Sequence, residues 1–220
     1  MKNLILLFTI TLMITSCNSQ TDLEKIKLDT NVSSIVKDST KFEKENDVIF
    51  PFISYETNKV NNYSFGKLSF TNYRIEDTDK NSLINYESRI SFFVDNYESN
   101  KLLGFAIRIE KEDEGNDLFN YVKNKLGKPL KQNVYNKDNH VQSSYLWDDK
   151  ARNQLIYIKQ NTEYFSNEKN KFISTELAVF KRGLKLNPDE GTDSQKIKNL
   201  LDENPNAFDV LEILKNRFQN

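Results

Sequence analysis

Leu103, Phe105, Ile107 and Ile109 alternate with Gly104, Ala106, Arg108 and Glu110. Within ten residues the apolar spacing then changes, to Leu118, Phe119, Val122 and Leu126. Period two puts one face of a strand in a core, whereas i, i+1, i+4, i+8 puts one stripe of a helix there. A chain that makes both in succession must lay a helix on a sheet. Further β-branched and aromatic runs predict more strands: Val48–Ile53, Phe65–Ile75 and Arg89–Val94 before the helix, then Ser144–Trp147, Gln154–Gln160 and Phe172–Phe180 after it. Pro51 cannot donate to a ladder, which places the first run at a sheet edge. Asp113, Glu114 and Asp117 suit the positive start of a helix over 116–126, and Gly127 with Pro129 ends it. Ile197, Leu200 and Leu201 mark a second helix, and Phe208, Leu211, Leu214 and Phe218 a third after Asn204-Pro205. The expected class is α+β: a mostly antiparallel sheet of about six strands, one helix on a face, and C-terminal helices from about residue 192 closing an end. Three strands, a helix and three strands hint at a weak duplication.

Composition supports a folded chain. Mean hydropathy is only -0.68, but 15 Phe and 10 Tyr among 220 residues supply core volume. A chain of this length buries roughly 70% of its extended surface, so it needs no disulfide or metal staple. The formal net charge of -1 lacks the basic excess of a nucleic-acid-binding protein, so no nucleic-acid partner is expected.

The N-terminus constrains location. Met1-Lys2-Asn3 precedes eleven mostly apolar, uncharged residues, Leu4 to Ile14. A spanning helix needs about 20 such residues, so the run suits a secretory h-region better than a permanent anchor. It ends in Ile14-Thr15-Ser16-Cys17, which resembles the lipobox of bacterial lipoproteins. That resemblance implies a diacylglycerol on the Cys17 thiol, removal of residues 1–16 as a signal peptide, and acylation of the new amino group by a chain such as palmitate. Two or three chains anchor a protein stably where one does not. The implied partner is therefore the membrane, reached through lipid on Cys17. Asn18 stands where Asp would resemble an inner-membrane retention signal, which leans the expected location toward the outer membrane, on its periplasmic face or at the cell surface. Residues 17–47 are expected to be the lipidated cysteine and a polar tether with one short helix near Ser33–Lys37. Thirteen extended residues of it would reach about 43 Å. Residues 48–220 are expected to form one domain.

Chemical motifs are sparse. His140 is the only histidine, in a polar loop, and Cys17 the only cysteine; a zinc site draws on several such ligands. Asp77, Asp79 and Asn81 match the start of a calcium loop, but Ser82 stands in place of its Gly and Ser88 in place of its bidentate Glu. Asp189 to Asp193 is thinner still and reads as the approach to a helix cap. No glycine spacing suits a nucleotide, and no nucleophile elbow is present. Trp147-Asp148-Asp149 sets an aromatic beside two acids, a pattern that suits a sugar but also suits a hairpin turn over 148–153. The run from Glu110 to Glu114 reads as a solvated strand end, and Lys123, Lys125, Lys128 and Lys131 as helix-terminal charges or a basic strip near headgroups. No catalytic, cofactor-binding or metal residue and no cofactor is expected. The expected function is a non-enzymatic binding or accessory lipoprotein of the cell envelope, of inhibitor or immunity type for example, whose partner is an envelope protein or glycan. The alternative is an envelope glycan hydrolase using paired carboxylates.

Overall fold

Eight strands form one antiparallel sheet built from two four-stranded meanders. The computed structural model describes residues 20–46, 52–76, 85–137, 140–165, 170–186 and 193–218. The first meander runs β1 (Glu43–Asn46), β2 (Ile53–Thr57), β3 (Arg89–Val94) and β4 (Leu102–Ile109). Helix α1 (Glu112–Leu126) follows. The second meander runs β5 (Lys131–Lys137), β6 (His140–Asp149), β7 (Gln154–Tyr164) and β8 (Lys171–Lys181). The meanders join by their last strands, with Ile107 opposite Leu177 and Ala106 opposite Ala178. The order is thus β5-β6-β7-β8-β4-β3-β2-β1. The α+β class holds, with eight strands in place of about six. Both additional strands are the polar edges: every residue of β1 and β5 is exposed. β1 is all charge and amide, which resists pairing with other chains; β5 mixes Lys, Gln and Asn with adjacent, exposed Val134 and Tyr135, so neither strand carries an apolar alternation to betray it.

The central strands are buried on both faces, so Phe92 and Phe93 are adjacent in sequence and both fully covered. On the first face α1 lays Leu118 and Val122 against Ile109, Leu177 and their neighbours. Gly115 permits that approach, because a Cβ there would lie 2.5 Å from Thr175 Oγ1. On the second face Phe52, Phe93, Leu155 and Phe180 pack beneath α3 (Val210–Asn216), which contributes Val210 and Leu214. The C-terminal chain therefore covers a face instead of closing an end. Helix α2 (Ser194–Glu203) precedes α3 and buries none of its residues.

The expected tether is part of this structure. Thr21–Asp22 pairs in parallel with Tyr63–Ser64, and single 3-10 turns at Leu23–Lys25 and Val32–Ser34 bury Leu23 and Val32. The segment looks polar because it covers the first face with a few isolated side chains separated by exposed ones. Asp22, Asn31 and Asp38 each accept the backbone N–H two residues on, which fixes those turns. The proposed strand at Phe65–Ile75 is instead a small sheet in which Tyr63–Phe65 pairs with Leu68–Ser69. Residues 47–51, including Pro51, lie outside the described residues.

Candidate functional site

Trp147, Asp148 and Asp149 end β6, and the turn expected after them is present between β6 and β7. Alternation sends Trp147 and Asp148 to opposite faces. Trp147 is buried and donates its indole N–H to the Gly127 carbonyl at 2.9 Å. The three residues line an open groove of about 540 Å³ with Leu126, Pro129 and Leu130. Both acids are closed off by arginines. Arg182 Nε donates to Asp148 at 2.7 Å, and Arg152 Nε donates to Asp149. Burial alone would raise the Asp149 carboxyl, but the Arg152 hydrogen bonds outweigh it and hold the group below the usual carboxylate range. A glycosidase needs one carboxyl kept protonated as general acid. Asp149 is thus held as an anion by Arg152, the opposite of what a general acid requires.

His140 is not a loop residue. It opens β6, stacks on Tyr164 with ring centroids 6.0 Å apart, and its Nδ1 lies 3.1 Å from the Tyr164 hydroxyl. Asp77 to Ser82 and Asp189 to Thr192 lie outside the described residues, as does Cys17. Asp193 caps α2 by accepting the Gln195 N–H. At the far end of the would-be calcium loop, Ser88 Oγ accepts the Glu110 N–H at 3.0 Å and Glu87 accepts from Asn58 at 2.9 Å. Among the described residues no group of three or more His, Cys, Asp or Glu side chains could hold a metal ion. The four lysines near α1 do different things, and Lys128 lines the Trp147 groove. Lys125 pairs with Glu24 at 2.8 Å, Lys123 lies over the Phe119 ring, and Lys131 begins the edge strand β5.

A charged row across the second sheet face escaped the sequence. Register sets Arg89 opposite Arg108, Arg108 opposite Glu176, and Glu176 opposite Lys159, spanning β3, β4, β8 and β7. Arg108 donates to Glu110 at 2.6 Å and to Glu163 at 3.3 Å, and Lys159 lies 3.4 Å from Glu176. Arg89 stands 3.5 Å from Glu56. Glu110, expected at a solvated strand end, is only 2% exposed. Burial pushes its carboxyl up despite Arg108, and Glu163 on the same guanidinium adds to the effect. The signal lay in the period: Arg108 and Glu110 continue the Gly104–Ala106 side of β4, the face that α3 covers only in part.

A second cavity, of about 480 Å³, lies beside the start of the described chain. Gln20, Thr21, Lys37, Lys41, Lys59 and Tyr63 line it. Burial pushes the Tyr63 phenol up to about 12. Among the described residues no helix is long and apolar enough to cross a membrane. Compared with protein-family models, curated proteins and solved structures, the chain matches none.

Proposed function

We propose that this chain is a lipid-anchored protein of the cell envelope that works by binding a partner. The Cys17 lipobox resemblance supports the anchor, and Asn18 supports an outer-membrane location, on its periplasmic face or at the cell surface. The observation that carries binding over hydrolysis is the pairing of Asp148 with Arg182 and Asp149 with Arg152. It converts the most sugar-like motif of the sequence into two fixed ion pairs. The row of Arg89, Arg108, Lys159 and Glu163, mostly buried but still reaching solvent, supports a recognition surface of mixed charge on a rigid sheet. Such a surface suits an envelope protein, as an accessory, inhibitor or immunity factor would require; a glycan is the alternative partner.

Two measurements test the reading. Cells given labelled fatty acid should label the protein but not its Cys17→Ala variant; labelling of that variant would remove the anchor. Incubation of the purified protein with peptidoglycan and common polysaccharides should release no reducing ends. Turnover that disappears in Asp148→Asn or Asp149→Asn, with the fold intact, would replace binding by hydrolysis.

A further inference from the structure

We propose that the cavity lined by Lys37, Lys41 and Lys59 is a docking surface for anionic lipid headgroups, by which the domain stands directly on its membrane. This rests on the lipid-anchor reading of Cys17.

The first argument is reach. Gln20 is already fixed: its side chain donates to the Asn61 carbonyl at 2.9 Å and accepts from Ser69 Oγ at 2.8 Å. Thr21 and Asp22 are paired in the small sheet. Three residue spacings separate Cys17 from Gln20, and fully extended they span about 10 Å. With acyl chains on Cys17 the surface around Gln20 is therefore held at headgroup level. The sequence-based tether of about 43 Å would have left the domain free to point any face at the bilayer; this attachment point selects one.

The second argument is charge. Gln20 and Thr21 line the same cavity as Lys37, Lys41 and Lys59, whose one lining acid is Asp38. Lys41 shares itself with Asp38 at 3.3 Å. Lys37 and Lys59 have no ion-pair partner among the described residues. The lining thus sets three ammonium groups against one carboxylate; the adjoining cleft shares Lys41 and adds Glu43, Glu56 and Glu87 beside Arg89, so the local excess rests on Lys37 and Lys59. Surface potential from anionic lipid decays over a Debye length of about 8 Å at physiological salt, so the cations that share a cavity with Gln20 are better placed to feel it than those on the far edge of the sheet. Each contributes about fivefold to association with an anionic surface. Asn61 and Asn62 on the same rim supply amide donors for phosphate oxygens. The occupant is the headgroup layer of the bilayer that holds the acyl chains.

The test uses the acylated protein in vesicles of phosphatidylcholine, with or without about a third of phosphatidylglycerol, and a membrane-impermeant amine reagent read lysine by lysine by mass spectrometry. Lys131 and Lys137 on β5 serve as references, because β5 and β1 are opposite edges of the sheet, about 34 Å apart at ~4.8 Å per strand. In anionic vesicles Lys37, Lys41 and Lys59 should react at least fivefold more slowly than the references. Pure phosphatidylcholine or high salt should remove that protection. In Lys37→Glu/Lys59→Glu, both exposed positions, Lys41 should lose its protection while the protein still floats with the vesicles. Flotation with Lys37 and Lys59 unprotected overturns the docking surface and leaves the anchor. Failure to float with either vesicle overturns the anchor and the docking surface with it. Equal protection by inorganic phosphate without vesicles assigns the cavity to a free anion and overturns the lipid proposal.

Discussion

Tyr121 donates its hydroxyl hydrogen to Glu24 Oε2 at 2.9 Å, tying the first turn of the described chain to α1. Lys125 and Arg152 reach the other oxygen of the same carboxylate, at 2.8 and 3.3 Å. The segment expected to be a tether is thus held by a partly buried acid with three donors from two other elements. Burial alone would raise the Glu24 carboxyl, but those donors outweigh it and hold the group below its ordinary value of 4.5.

Glu24→Gln should therefore destabilise the protein in a pH-dependent way. A depressed folded pKa contributes stability that is full above the unfolded value and lost as pH falls through the folded one. The lysine and arginine partners are 44% and 31% exposed, so solvent screening limits the effect to about 1–2 kcal/mol at pH 7. Melting curves of the two proteins should differ by several degrees at neutral pH and draw together as pH falls below 4.5 and through the lowered folded value. A gap that does not shrink as pH falls would assign the loss to packing instead of charge.

Gly66 makes this contact possible. Its φ is +59°, and a Cβ built on it would lie 2.2 Å from the Tyr121 hydroxyl and 2.9 Å from Glu24 Oε2. Gly183 has a similar φ of +72° but nothing within 4 Å of the added atom. Gly183→Ala should thus cost only the left-handed backbone penalty, about 1–2 kcal/mol. Gly66→Ala should cost that and about 1 kcal/mol more for the displaced hydrogen bond. In Tyr121→Phe the nearest clashing atom and its hydrogen bond are absent, although ring carbon Cζ stays 2.7 Å from the added Cβ, so the two substitutions should be partly less than additive in a denaturant cycle. Strict additivity would mean that Tyr121 moves aside freely.

These contacts also show where the sequence stopped being readable. Leu103 to Ile109 and the α1 stripe were legible because burial on one face imposes a period. Phe172–Phe180 was legible as a strand for the same reason, although its alternation hid a second buried face. Glu43–Asn46 and Lys131–Lys137 were not, because an exposed edge strand imposes no apolar pattern. Residues 20–46 were misread because their order comes from Asp22, Asn31 and Asp38 turns and from single buried residues such as Leu23 and Val32. The charged row was hidden differently: Arg108 and Glu176 are 68 residues apart in number and meet only through the β4–β8 register. Of the candidate site, Trp147, Asp148 and Asp149 were found, but their arginine partners, Arg152 and Arg182, were not.

Trp147, the only tryptophan, reports on this packing. It is 3% exposed and its indole N–H is engaged by Gly127. Native emission should be blue-shifted, resist quenching by acrylamide, and move red in one cooperative denaturant transition. Red emission in native buffer would put the indole in solvent and open the groove as a ligand platform.

Glu110→Gln tests whether the charged row stabilises the fold or burdens it. Glu110 lies against Arg108 at 2.6 Å, yet its Oε2 is buried with no hydrogen-bond partner among the described residues. Burial is the largest influence on it and raises its carboxyl above 4.5 in the folded state; Arg108 opposes that shift and Glu163 reinforces it. A raised folded pKa means that the native state holds a proton the unfolded state releases. Stability from this group is therefore greatest in acid and falls as pH rises past the unfolded value toward the folded one. Glutamine keeps the shape and removes the charge, and Arg108 retains Glu163 at 3.3 Å. The variant should match the parent near pH 4 and become relatively more stable toward pH 7.5, by up to about 1 kcal/mol. Arg108→Gln should behave in the opposite way, leaving Glu110, Glu163 and Glu176 together without their guanidinium and costing about 3 kcal/mol at neutral pH. Thermal melts of the two variants across that pH range decide the matter. If Glu110→Gln is the less stable protein at pH 7 and the deficit closes in acid, the ion pair stabilises the fold and burial is the weaker influence.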